Sequence, residues 1–470
     1  MPAQPGTTHL PRGKEVPLKP SVQSLVGRRS FFKSLGVGAA GASVASLVAE
    51  TDVEAAVQNV NTNSRPSDLK ITDLRVAHIA RAPMQCPLIR IDTNQGISGY
   101  GEVRDGASPT YALLLKNRII GENPCSVDKV FRKIKQFGGH ARQGGGVCAV
   151  EMALWDLAGK AYGVPAYQLL GGKFRDRIRL YADTDGRGDG HEQGLRLRER
   201  MNAGISFLKM DFGIELIRDV PGAISVPTGQ SAEERSLTMH PFTGVEITDK
   251  GIALLSDYVA AVREVIGMEI PLASDHFGHI GVNSCIKLAK AMTKFNLAWM
   301  EDMVPWQLPN LMKTIKDAVD IPILTGEDIY LKEDFVKLID MGAVDMIHPD
   351  LATAGGLLET KKIGDYAMER GIPMAMHFAG TPISFMASVH TAAATENFVC
   401  LEHHSLDVKW WNNAVTPAIE LDGGFAVAPD RPGLGVEPNP EVLKQHLLEP
   451  GWFEPTPQWD KERSWDRLWS

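Results

Sequence analysis

AWMED (298–302), PILTGE (322–327), DMIHPD (345–350) and PMAMH (373–377) are four short runs of one kind, each largely apolar and closing at or near an acid or a histidine. RLYAD (179–183), FLKMD (207–211) and PLASD (271–275) precede them, and VCLEHH (399–404) follows. The marked residues are Asp183, Asp211, Asp275, Glu301, Glu327, Asp350, His377 and Glu402, and the last five intervals are 26, 26, 23, 27 and 25 residues. A strand, a loop and a helix of some ten residues fit into about 25. Eight such units predict an α/β fold, a TIM-like (β/α)-barrel, with chemistry at the C-terminal strand ends where these side chains stand. The interval from Asp211 to Asp275 is 64 residues. It predicts an insertion around 213–249, rich in Gly, Pro, Ser and Thr, lying as a long loop over the active-site face.

Upstream, 70–103 reads as strands with a turn at Asn94-Gln95-Gly96, and CAVEMALWDLAGKA (148–161) has helical spacing. This predicts a small α+β capping domain. The expected boundaries are 1–56 for a leader and the start of a linker, 57–178 for the cap, 179–424 for the barrel and 425–470 for a tail. Arg28-Arg29-Ser30-Phe31-Phe32-Lys33 precedes LGVGAAGASVASLVA (35–49). A charged segment, an apolar stretch too short to span a bilayer and small residues near its end resemble a twin-arginine (Tat) export signal, which implies a periplasmic or otherwise exported protein. Gly36–Gly41 matches GxGxxG, but it lies inside that leader and lacks a strand before it.

Net charge is −8. That argues against a nucleic-acid partner, and no membrane contact is expected of the mature chain. Five scattered cysteines without a CxxC indicate neither a zinc site nor a disulfide framework.

Asp275, Glu301 and Glu327 end consecutive runs, which places three carboxylates on neighbouring strand ends. They would repel unless a cation sat among them, and hard oxygen ligands suit Mg²⁺, or Mn²⁺ in its place. Asp350 and His377 end the next two runs. An aspartate bonded to one imidazole nitrogen fixes the tautomer, favours the protonated ring and leaves the other nitrogen as a base. Mg²⁺ on a carboxylate makes the adjacent carbon acidic enough for such a base. Glu402, if protonated, would donate to the same enediolate.

With GYGE (99–102), YQLLGG (167–172), WMEDMVP, TGED, IHPDLATAGG (347–356) and AMHFAG, the pattern over roughly 70–430 resembles the enolase superfamily, mandelate-racemase subgroup. The resemblance implies Asp275, Glu301 and Glu327 as metal ligands, the His377–Asp350 dyad as base, and a C-terminal tail that returns to the cap. Met84–Pro87 and Arg104–Ala107 would be cap loops selecting the substrate. A homo-oligomer is also implied. Racemases of this group carry Lys-x-Lys on the second strand; here Lys209-Met210-Asp211 lacks the second lysine. Lys209 is expected to hold the substrate carboxylate, or else to pair with Asp211. Galactonate-type dehydratases carry a leaving-group histidine two places after the first metal ligand; here that place is Phe277, with His276 and His279 nearby. One of these histidines is expected to be the leaving-group acid, unless His377 performs both steps. His403, His404, Trp410 and Trp411 stand where they would either line a sugar site or pack the tail. The expected function is Mg²⁺-dependent dehydration of a sugar acid to a 2-keto-3-deoxy acid. Epimerisation, racemisation or cycloisomerisation on the same intermediate is the near alternative. A non-catalytic periplasmic binding protein and a metal-free glycosidase are the remote ones.

Overall fold

All eight runs are strands in the computed structural model, which describes residues 65–186, 188–226, 244–275 and 280–461. The export leader, His276 and His279 lie outside the described residues. The cap strands are β1 (Ile71–Ile79), β2 (Cys86–Thr93) and β3 (Ser98–Glu102). The barrel strands are β4 (Arg177–Ala182), β5 (Leu208–Asp211), β6 (Leu272–Asp275), β7 (Met300–Glu301), β8 (Ile323–Thr325), β9 (Met346–Ile347), β10 (Met374–Met376) and β11 (Phe398–His403). β4 to β11 pair in chain order, all parallel, and β11 returns to pair with β4, Glu402 opposite Tyr181. Parallel strands under a layer of helices are buried on both faces, so their sequences are apolar runs instead of alternating ones. β6, β8 and β10 are buried at every residue.

The barrel interior has its own apolar core of Tyr181, Phe207, Ala273, Trp299, Leu324, Ala375 and Cys400. Large rings from one side are accommodated by the small Ala273, Ala375 and Cys400, the interdigitation that dense packing requires. Trp299 meets Tyr181 edge-on with centroids 5.5 Å apart and Phe207 at 4.9 Å. Each such pair is worth about 0.5–1.5 kcal/mol beyond area burial. This plug floors the site above it.

The insertion after β5 starts as a 3₁₀ turn (Ile214–Leu216), and Ile224–Ser225 pairs antiparallel with Glu246–Ile247. The chain therefore leaves and re-enters the barrel at one point.

In the cap, β1–β2–β3 form an antiparallel sheet under α1 (Gly145–Tyr162). The two glycines of GYGE permit that contact. A Cβ at Gly99 or Gly101 would stand 2.3 Å from the Ala153 carbonyl or 2.0 Å from the Ala149 carbonyl. Two buried acids tie cap to barrel. Glu102, at the end of β3, accepts from the Thr381 amide and hydroxyl and from the Ser384 hydroxyl, just beyond β10. Glu151, on α1, accepts from the amides of Leu357 and Leu358 at the start of helix α2 (Leu357–Met368). Gly356, at φ +88°, is required there, because a Cβ would collide with the Glu151 carboxylate. The tail bonds back to β1 through Leu448 N to His78 O and Ala80 N to His446 O. One expected cap loop is shorter than Met84–Pro87, because β2 already begins at Cys86.

Candidate active site

Asp350 and His377 are cross-strand partners beyond β9 and β10, so register alone sets them side by side. His377 Nδ1 lies 2.5 Å from Asp350 Oδ2. Asp350 Oδ1 is fixed by the Ala352 amide at 2.5 Å, as the cap of the turn it begins. With the proton on Nδ1, donated to Asp350, Nε2 carries the lone pair. The expectation that Asp350 would favour a protonated ring is not met. Burial, then the Arg104 guanidinium and the charges of His348 and Lys209, push His377 well below the usual imidazole range. Burial raises Asp350 to about 7, against Arg104. A neutral imidazole is the form that can accept a proton.

Arg104 enters from the cap loop after β3 and is 1% exposed. Its Nη1 is 2.5 Å from Asp350 Oδ2 and 3.0 Å from His377 Nδ1, and its Nη2 donates to Glu327 at 3.2 Å. The sequence suggested only a substrate-selecting loop here; the structure puts a charge of the cap directly on the dyad. Asp105 and Asp328 lie 2.8 and 3.7 Å from the same guanidinium.

Lys209 does not pair with Asp211. Its ammonium is 2.6 Å from Asp275, 2.8 Å from Glu402, 3.6 Å from Glu301 and 3.9 Å from Asp183. Burial opposes its charge, but Asp275, Glu301 and Glu402 outweigh it and hold the lysine protonated. Glu402 accepts from the Tyr181 hydroxyl at 2.9 Å and the Phe378 amide at 3.2 Å. It also stands 3.7 Å from His377 Nε2. Both of these hydrogen bonds end on the same oxygen, Oε2.

Two further residues escaped the sequence reading. His348 is fully buried, with Nδ1 2.8 Å from Glu301 and Nε2 2.6 Å from the Tyr181 hydroxyl. Trp299 Nε1 donates to the other Glu301 oxygen at 3.0 Å. His348 was visible in principle: it lies two places before Asp350, hence on the same strand face. His404 Nδ1 lies 3.0 Å from Asp183 Oδ2. His403 and Trp411 are buried in the tail packing, where Trp411 donates to the Gly380 carbonyl, and Trp410 stacks on His446 with centroids 4.0 Å apart.

The three expected metal ligands do not form one cluster. Glu301 and Glu327 come together with His348, donor atoms within 4.8 Å of one another, and Asp275 lies with Asp183 and Asp211. Lys209 stands on Asp275 and near Glu301. The chemistry of Asp275, Glu301 and Glu327 nevertheless fits a small divalent cation. All offer hard oxygens, and all are largely buried. Burial raises Glu301 and Glu327 well above the usual carboxylate range, and Asp275 adds to the rise at both. Carboxylates so crowded gain from a positive charge among them.

Residues 52–171 match the mandelate racemase/muconate lactonizing enzyme N-terminal domain, and 196–442 match the enolase C-terminal domain-like family. The chain belongs to the enolase superfamily. A D-xylonate dehydratase from Haloferax volcanii is 32% identical over 394 residues, 81% of this chain and 90% of that protein. An arabinonate dehydratase from Saccharolobus solfataricus is 25% identical over 382 residues, 79% and 93% of the two chains. A crystal structure of a mandelate racemase/muconate lactonizing enzyme-like protein from Rubrobacter xylanophilus superposes with a TM-score of 0.72 at 30% identity. It covers 82% of this chain and 99% of its own. The chain is thus an enolase-superfamily enzyme, and the two named relatives are hydro-lyases.

Proposed function

We propose that this enolase-superfamily enzyme dehydrates a sugar acid, an aldonate or aldarate, to a 2-keto-3-deoxy acid. The observation that carries the proposal is the buried dyad. His377 is held by Asp350 at 2.5 Å and pushed by burial toward its neutral form, with Nε2 3.1 Å from Glu327 and 3.7 Å from Glu402. A ring in that state, next to a carboxylate cluster suited to a cation, is equipped to take a proton from carbon. His377 Nε2 accepts the α-proton, and Asp350 holds the imidazolium that results. Arg104 keeps the dyad oriented. Lys209 offers an ammonium toward the substrate carboxylate if the contacts to Asp275 and Glu402 loosen on binding. Magnesium held by Asp275, Glu301 and Glu327 would supply positive charge to stabilise the electron density that deprotonation leaves on the substrate carboxylate. The absence of a second lysine at position 211 counts against two-base racemisation.

The test is a screen of acid sugars with Mg²⁺, detecting 2-keto acids with semicarbazide. Turnover of at least one aldonate or aldarate is expected, and EDTA should abolish it. α-Deuterium exchange without any keto acid would instead indicate epimerisation.

We also propose export by the twin-arginine route, on the Arg28-Arg29-Ser30-Phe31-Phe32-Lys33 motif and the apolar stretch after it. Replacing Arg28 and Arg29 together by lysine is expected to retain the protein in the cytoplasmic fraction. An exported double variant would remove the proposal.

A further inference from the structure

The sequence offers His276 or His279 as the leaving-group acid, or else His377 performing both steps; the described site offers another candidate. Asp183, just past β4, and His404, just past β11, form a second aspartate–histidine pair, Nδ1 to Oδ2 at 3.0 Å. β4 and β11 are the strands that close the barrel, so this pair lies in the same ring of strand ends as the His377–Asp350 dyad. The two pairs flank one carboxylate. Glu402 Oε2 is 3.7 Å from His377 Nε2, and an oxygen of Glu402, an oxygen of Asp183 and a ring nitrogen of His404 lie within 4.8 Å of one another. Glu402 thus stands beside both imidazoles, with one aspartate–histidine pair on either side of it. We propose that His404, held by Asp183, is the acid that protonates the departing β-hydroxyl.

The environments of the two rings differ. His377 has the Arg104 guanidinium 3.0 Å from its Nδ1, whereas the partner of His404 Nδ1 is the Asp183 carboxylate. His404 is opposed by its own burial and by Lys209, but the bond and charge of Asp183 and the charge of Glu402 win and raise it to about 9. An imidazolium positioned by an aspartate can give its proton to a leaving group. The His404 side chain is 18% exposed, so water can restore its proton between turnovers.

The step balances. His377 Nε2 takes the α-proton and the Cα–H pair becomes the Cα–Cβ double bond. The Cβ–O bond breaks, its pair leaves with oxygen, and His404 Nε2–H supplies the proton that makes the leaving group water. The enol then becomes the 2-keto acid as His377 returns its proton to C3, and the enol oxygen releases one that recharges His404 through solvent. This assignment rests on the dehydratase function proposed above.

The experiment uses the magnesium-loaded enzyme and three readouts: 2-keto acid formation, deuterium uptake at C2 of recovered substrate in D₂O, and loss of fluoride from a 3-deoxy-3-fluoro sugar acid. For H404N and H404Q, keto-acid formation is expected to fall about 10²–10⁴-fold, the usual contribution of a positioned acid. Deuterium uptake should persist, and fluoride, which leaves without a proton, should be lost at near the wild-type rate. That last readout also proves the variant folded. D183N is expected to lower keto-acid formation and move the alkaline limb of the kcat profile to lower pH. Equal dehydration by wild type and H404N overturns the assignment. So does a parallel fall in all three readouts, a rise in KM alone, or the exchange-without-elimination signature appearing in H276N or H279N instead. If the wild type exchanges or does nothing but never forms a keto acid, the dehydratase function itself fails, and the assignment with it.

Discussion

His377→Asn is expected to lower both dehydration and α-deuterium exchange by at least about 10²–10⁴-fold, the range for loss of a general base. Loss of exchange is what separates this residue from any acid acting later, because no other neutral imidazole among the described residues is bonded to an aspartate in the site. Asparagine keeps an amide near the position of Nδ1, so the hydrogen bond to Asp350 can survive while the proton acceptor is lost. The measurement is single-turnover exchange in D₂O alongside steady-state keto-acid formation. An H377N enzyme that still exchanges its α-proton at the wild-type rate would remove His377 as base.

Lys209→Met is expected to destabilise the protein by about 3–5 kcal/mol, the cost of leaving a buried charge without its partner. Lys209 is 1% exposed and stands 2.6 Å from Asp275 and 2.8 Å from Glu402. Methionine fills the same stem volume but offers no charge, so those carboxylates must be protonated or repel one another. Denaturant unfolding of wild type and variant in EDTA measures the loss. Repeating it with Mg²⁺ should recover part of it, since a cation binding only the folded state stabilises it by mass action. A loss below about 1 kcal/mol in EDTA would mean that the lysine does not carry the charge balance of the site.

The barrel was legible because its signal is repeated: eight apolar runs end in acids or a histidine, and the structure makes a strand of each. The dyad was legible for the same reason, one residue on each of two successive runs. Arg104 was not. Its partners Glu327, Asp350 and His377 lie 223, 246 and 273 residues away in the chain, and a lone arginine in a loop carries no periodicity. The alternative pairing of Lys209 with Asp211 failed for a reason of register: Asp211 is its nearest acid in sequence, but the parallel strands bring in Asp275 from the adjacent strand, 66 residues on. The dyad's protonation was misjudged because a pairwise rule, aspartate favours imidazolium, was applied without the burial and the guanidinium that outweigh it.

Glu102 has a consequence for how such enzymes can be recombined. It closes the last cap strand and holds Thr381 and Ser384, four and seven residues beyond His377. The base-bearing loop is thus anchored in the cap, and two places further on the cap delivers Arg104 to the same histidine. Cap and barrel are therefore not interchangeable modules, one for recognition and one for chemistry. A chimera joining the cap of one relative to the barrel of another would orient its base correctly only if both halves of this clasp were inherited together.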